Sequence, residues 1–531
     1  MLRDYSSILQ LQSPTTLFFV SAIWFTWIQK RKQKRDVAAK KSCMNGSSVG
    51  LSSRTVLKPT VSYWNGFLLC LQNPCDAEAN PEGHIALCLA ENKLVQETLA
   101  NRLMLPGTAQ TAFSDEVVYS YNGFLGLPEA RQAAAYFLAR RFLLARGGGG
   151  DVRRQSSSSS ELVEPDTTPE TAAMMINPEH VSLGAGCASL LNNLFFTLAE
   201  KGDAVLIPAP YYAAFENDMQ AVAGCVPYAV QMENPMNGPT TNDLNAAFEK
   251  ATKEGLRVKM LLLTNPNDPL GVIYMPHVIY DAVFWARERQ LHTVVDEIYA
   301  LSVHHQVNNF RSVIHILENN LENDVHMLWG LSKDFGASGF RVGVLYTQNE
   351  NLLAALANLN IFSGVSHPMQ MITAELLKDD DFVDSFLLDA RAQLNWSYTI
   401  CTRKLEEMVI PYVPAEAGLF VYADFSSVLP EQTFDGEARF ASFMQDVARV
   451  VMTPGQSQRD RKPGMFRICY TWVSPGVLEI AMERLSCVVA KIRRYHWDNL
   501  DSIILDDVAK GRILLGIRRT PSINLAELVN P

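Results

Sequence analysis

Gly330-Leu331-Ser332-Lys333-Asp334-Phe335-Gly336-Ala337-Ser338-Gly339-Phe340-Arg341-Val342-Gly343 is the stretch that decides how the chain is read. Directly before it stands the apolar run Met327-Leu328-Trp329, which suits a buried strand. Lys333 therefore leaves a strand end, and Arg341 follows inside a glycine-rich turn. A lysine at a strand end is by default a solvated charge. This one stands among serine, glycine and an arginine, a setting that suits an amine held in imine linkage to a carbonyl cofactor, with the arginine on that cofactor's phosphate.

The surrounding sequence has α/β rhythm. Short apolar runs alternate with helical stretches: Ala204-Val205-Leu206-Ile207, Met260-Leu261-Leu262-Leu263, Thr293-Val294-Val295, Met327-Leu328-Trp329 and Val342-Gly343-Val344-Leu345. Such runs suit strands buried on both faces of a mostly parallel sheet. Polar and aromatic groups follow four of them: Pro210-Tyr211-Tyr212, Thr264-Asn265-Pro266-Asn267-Asp268, Asp296-Glu297-Ile298-Tyr299 and Ser332-Lys333. Open α/β sheets bind ligands beyond the carboxyl ends of their strands. Each group alone could be turn chemistry, but the four together, one offering a lysine, predict a site.

The residue types match one cofactor, pyridoxal 5'-phosphate (PLP). Lys333 supplies the amine. Asp296 ends an apolar strand, so it is expected to be buried and to need a partner, which a pyridinium N–H provides. Tyr299 can reach the phenolic oxygen. Gly184-Ala185-Gly186-Cys187-Ala188-Ser189 precedes a helical run, and small residues at a helix start let backbone N–H groups approach a phosphate. Read alone that signal is weak, because glycine-rich helix starts are common. Tyr212 is a candidate to stack on the ring, with simple packing as its alternative. Arg467, in Met465-Phe466-Arg467-Ile468-Cys469, is flanked by apolar residues and needs an anion. Its fork fits a substrate carboxylate, and a structural salt bridge is the other reading.

The bulk composition limits the alternatives. The chain has 531 residues, 48% hydrophobic and 19% charged, ordinary for a globular protein. A formal net charge of -10 argues against a nucleic-acid binder. Nine dispersed cysteines without paired C-x-x-C spacing argue for a reducing compartment and against a zinc site. Near the N-terminus the apolar stretch Leu17 to Ile28 precedes the basic run Lys30-Arg31-Lys32-Gln33-Lys34-Arg35. Spanning a bilayer takes about 20 apolar residues, a length reached only by extending back to Ile8 through Gln10, Gln12, Ser13 and Pro14. Residues 8–28 are thus a candidate membrane anchor, and positive charge after the run would leave the catalytic part cytoplasmic. A leader without structure is the alternative. The run Gly147–Gly150 and the serines Ser156–Ser160 mark residues 147–170 as a surface insertion that buries no core.

With these residues assembled, the chain resembles fold-type I PLP enzymes of aminotransferase class I/II. Within them it resembles the 1-aminocyclopropane-1-carboxylate (ACC) synthase-like branch. The resemblance covers about Tyr63 to Leu485. It is carried by Asn80-Pro81-Glu82-Gly83, Leu89-Ala90-Glu91-Asn92, Gly126-Leu127-Pro128-Glu129, the Ser332-Lys333-Asp334 stretch, Gly418-Leu419-Phe420, and Pro463-Gly464 before Phe466-Arg467. It implies an aspartate aminotransferase-like fold, with a large domain over 112–358 and a smaller α/β domain from 61–111 and 359–498. The leader 1–60 and the tail 499–531 fall outside it.

The resemblance also implies roles. Lys333 would be the imine lysine and the base at the substrate Cα. Asp296 and Tyr299 would hold the cofactor ring. Cys187, Ala188 and Arg341 would hold the phosphate, Gly186 and Ser332 would be further cofactor-binding residues, and Arg467 would take the substrate carboxylate. Glu91 would be the substrate-facing glutamate of the synthase branch, its other reading being a carboxylate in the first turn of the next helix. The substrate would be an α-amino acid, turned over by transamination or by α,γ-elimination of S-adenosylmethionine, in a homodimer. Three positions depart from the pattern. Asp268, a candidate cofactor-binding residue, replaces an asparagine; ionised it would repel a cofactor phenolate, and protonated it could still donate a hydrogen bond. Gly330 replaces a serine of the phosphate site. Phe124 replaces the tyrosine that reaches the neighbouring subunit, a role open to Tyr119 or Tyr121. These departures motivate a second reading, a catalytically silent ligand- or partner-binding relative.

Overall fold

A computed structural model describes residues 63–144, 175–304 and 310–497. The candidate anchor at 8–28, the insertion at 147–170 and the tail at 499–531 lie outside them. Among the described residues no helix is long and apolar enough to cross a membrane, no group of side chains is placed to hold a metal, and all eight cysteines are free.

The core is a seven-stranded sheet. Its strands are β2 (Val181–Ala185), β3 (Ala204–Ala209), β4 (Val226–Gln231), β5 (Val258–Thr264), β6 (His292–Asp296), β7 (Val325–Gly330) and β8 (Val342–Thr347), in the order β2-β8-β7-β6-β5-β3-β4. Every residue of β3, β7 and β8 is buried, as strands covered on both faces require. Neighbouring strands run parallel except around β8, which is antiparallel to β2 and to β7. That exception positions the chemistry. The beginning of β8, not its end, lies beside the carboxyl ends of β2 and β7. Val342 pairs with Ala185, and Gly343 with both Gly184 and Gly330. Arg341 thus arrives at the same edge as Lys333.

A four-stranded antiparallel sheet has the order β12-β13-β10-β9, with β9 at Tyr412–Val413, β10 at Phe420–Asp424, β12 at Thr453–Pro454 and β13 at Met465–Cys469. In β13 all five residues are buried, and Arg467 lies between Tyr422 and Thr453. A short parallel pair, β1 (Ile85–Ala86) with β11 (Val450–Val451), stands beside it. The helix Asp380–Glu407 joins the two apolar cores, giving Phe386 to the one around the large sheet and Leu394, Ile400 and Leu405 to the other.

The β2-β8-β7 junction leaves no space for a side chain at 330. A Cβ on Gly330 would lie 2.7 Å from the Val342 carbonyl oxygen and 3.0 Å from the Cys187 sulfur. The missing family serine therefore has a steric reason, since the Cys187 thiol and the β8 backbone fill the volume. Gly330→Ala is expected to lower unfolding free energy by about 1–3 kcal/mol, the usual penalty of overpacking. Urea denaturation checks this, and an unchanged midpoint would mean the junction is looser than described.

Candidate active site

The lysine sits in a single helical turn, Leu331–Asp334, directly after β7. Asp334 anchors that turn. Its carboxylate accepts hydrogen bonds from Trp329 Nε1 at 2.8 Å, Ser302 Oγ at 2.6 Å and the Leu301 N–H at 3.1 Å. Burial nonetheless pushes its pKa up to about 7, against those hydrogen bonds. Ser332 is buried, and its carbonyl accepts from Ser338 Oγ at 3.0 Å. The partly buried Lys333 donates to the Ala90 carbonyl oxygen. Burial pulls its pKa down, while the Asp268 and Glu91 carboxylates oppose that. Glu91 thus faces the lysine electrostatically. The next helix begins only at Gln96, so Glu91 is not a first-turn carboxylate.

One side of the site is a helix start. The helix Cys187–Leu198 opens after Gly186, whose φ is 82°. A Cβ there would lie 2.5 Å from Arg341 Nη2, and the positive φ favours glycine at this position. Arg341, itself at φ 55°, donates from Nη1 to the Ser338 carbonyl at 3.1 Å and from Nη2 to the Ala185 carbonyl at 3.2 Å. Cys187 donates its thiol proton to the Trp329 carbonyl at 3.3 Å, and burial raises its pKa well above the usual value. Ala188 is exposed at the helix start. Beside it the Ser189 hydroxyl is buried without a hydrogen-bond partner.

Asp296 closes β6 and is buried, as expected. Its carboxylate accepts from the Ile298 N–H at 3.1 Å. Burial pushes its pKa up to about 7, with the Ile298 contact pulling down and Asp268 adding to the rise. Tyr299 donates to Asp268 Oδ2 at 3.2 Å. Tyr212 is partly buried and edge-on to Phe215, their ring centroids 5.3 Å apart.

The anionic partner of Arg467 lies within the chain. Nη1 donates to both oxygens of Asp268, at 2.7 and 2.8 Å, and Nη2 donates to the Cys88 carbonyl at 2.9 Å. The guanidinium carbon lies 5.2 Å from the Phe420 ring centroid and 5.9 Å from that of Tyr212. Tyr63 is buried facing the same group, its pKa raised by burial and lowered in turn by Arg467. Sequence reasoning missed Tyr63 and the Cys88 and Ala90 carbonyls. It also missed Asp218, whose pKa burial pushes up to about 7 and whose charge acts on Asp296 and Tyr212. A backbone carbonyl leaves no mark in a sequence, and a lone tyrosine or aspartate carries no motif. Phe124, Tyr119 and Tyr121 all lie on the surface, at 37%, 72% and 93% exposure.

The model of the family described as aminotransferase class I and II matches residues 160–485. An ACC synthase of Glycine max is 30% identical over 434 residues, 80% of this chain and 84% of that protein. ACC synthase-like protein 1 of Arabidopsis thaliana is 31% identical over 434 residues, 80% and 82% of the two chains. Among solved structures, a Thermus thermophilus aspartate aminotransferase mutant superposes with a TM-score of 0.63 at 21% identity, covering 83% of this chain and all of that one. The chain belongs to the aminotransferase class I and II family, whose members depend on PLP. Within that family it is an enzyme of the ACC synthase-like branch.

Asp296 yields a stability test. Its carboxyl titrates near 7 in the fold, against about 3.9 in an unfolded chain. The folded state therefore keeps a proton that the unfolded chain gives up. Burying this carboxyl costs progressively more stability as pH rises from about 4 to about 7, and the cost is full above that. Cofactor-free Asp296→Asn should be more stable than wild type at pH 8 by on the order of 2–4 kcal/mol, with the gap shrinking by pH 5. Urea denaturation at both pH values reads this, and a gap independent of pH would contradict it.

Proposed function

We propose that this chain binds PLP at the carboxyl edge of the large sheet and acts there on α-amino acids. The observation that carries the reading is the meeting at one edge of an amine, a buried carboxyl and an arginine-covered helix start. The residues fit the group. The Ser189 hydroxyl is a buried donor without a partner at the start of the helix Cys187–Leu198. Gly186 leaves the Arg341 guanidinium lying against the backbone. Asp296 is a buried carboxyl that accepts from the Ile298 N–H and whose charged form is disfavoured by burial. When bound, PLP supplies an electron sink that stabilises negative charge at the substrate Cα.

The chain's own residues do the rest. Gly186, Cys187, Ala188, Ser332 and Arg341 hold the phosphate, through backbone N–H groups at the helix start and the guanidinium. The Asp296 carboxylate holds a proton on the ring nitrogen, and the ring cation removes the penalty its burial otherwise carries. Tyr299 orients the phenolic oxygen and Tyr212 covers the ring. Arg467 positions the substrate carboxylate. Lys333, its pKa drawn down by burial, takes the Cα proton as a neutral amine. Glu91 lies on the substrate side of the lysine. Two copies form the functional unit, a reading supported by the exposed aromatics around Phe124 and by Phe362, which is 88% exposed.

The purified protein should be yellow and become permanently labelled on borohydride treatment, and Lys333→Ala should lose both properties. Retention of both by Lys333→Ala would overturn the assignment. Incubation with a panel of amino acids and with S-adenosylmethionine, reading keto acids and ACC separately, decides between transamination and ACC formation.

A further inference from the structure

The Arg467–Asp268 pair is the point where this chain parts from the pattern it otherwise follows. Both side chains are nearly excluded from solvent, at 1% and 2% exposure. Nη1 is occupied by both oxygens of Asp268 and Nη2 donates to the Cys88 carbonyl. On the same guanidinium, Nε is buried without a partner. The charge that would receive a substrate carboxylate is therefore already neutralised by the chain itself. A carboxylate arriving at Arg467 meets a pair of net charge zero and adds an uncompensated buried charge. Lys333, Asp296, Tyr63, Tyr212 and Tyr299 are the other titratable groups around Asp268. An incoming carboxylate gains the Nη1 donors only by displacing Asp268 from them.

We infer that Asp268 is a specificity-determining residue, an internal carboxylate that competes with the substrate's own for Arg467. Carboxylate binding displaces Asp268 from Nη1. The inference rests on the reading of Arg467 as the carboxylate site, and it gives that site a selectivity against carboxylates that an asparagine at 268 would not have.

Butyrate, a carboxylate without an amine, isolates the effect, with butyramide as the uncharged control. Dissociation constants are measured at pH 8 on wild type, Asp268→Asn and Asp268→Ser, by cofactor absorbance and by thermal shift. Both variants should bind butyrate at least tenfold tighter than wild type, with butyramide the same on all three. Equal affinity in wild type and variants overturns the inference, as does no butyrate binding to either variant. Should Asp268→Asn fail to fold, Asp268→Ser alone decides. A wild-type protein that takes up no PLP would sink the cofactor assignment instead, and the thermal-shift titration of butyrate would still read the competition with Asp268.

Discussion

Three strand ends meet at the carboxyl edge of the large sheet with no volume between them for side chains, and the placement of the chemistry follows from that close approach. Gly330 and Gly343 face each other across β7 and β8, and a Cβ on Gly343 would lie 2.6 Å from the carbonyl carbon of Gly186. The backbone after β2 is thereby pressed against the beginning of β8. Because β8 runs against its neighbours, the turn that enters it delivers Arg341 over the helix start at Cys187, while the turn that leaves β7 delivers Lys333. A parallel β8 would carry the arginine to the opposite edge. Asp334, tied to Trp329 and Ser302, keeps the lysine turn from moving independently of the sheet.

Electrostatics inside this edge are unbalanced in one place and balanced in another. Asp296 is a buried carboxyl that burial pushes up to about 7, although the Ile298 N–H and the Lys333 charge pull it down. Arg467 and Asp268 are the reverse, an ion pair closed upon itself. Replacing a water-facing charge by a buried one is expensive unless a partner is present, so the first group favours binding of a cationic ring and the second resists binding of an anion. Within one family fold, the same kinds of group can thus set both affinity for a cofactor and selectivity among substrates.

Much of this was legible in the sequence, for reasons that can be named. Lys333, Asp296 and Asp268 each follow an apolar run, and such runs become strands wherever the fold covers both faces. Arg467 announced its need for an anion by its apolar neighbours. The identity of that anion was not legible, because Asp268 lies 199 positions away and only the folded chain brings them together. β2, with Ser182 and Gly184 inside it, and the half-buried edge strand β4, with Pro227, carry weaker apolar signals than the central strands. They were not read as strands. Gly330 looked like a lost hydroxyl, whereas the packed structure makes it a steric requirement of the thiol at Cys187.

The central claim concerns where one covalent bond forms. A crystal structure of the protein grown with excess PLP tests it most directly. Continuous density from Lys333 Nζ to the cofactor, with the ring nitrogen against Asp296 and the phosphate beneath Arg341, is the predicted result. Density that leaves Lys333 on the Ala90 carbonyl and places the cofactor elsewhere, or nowhere, would contradict the account.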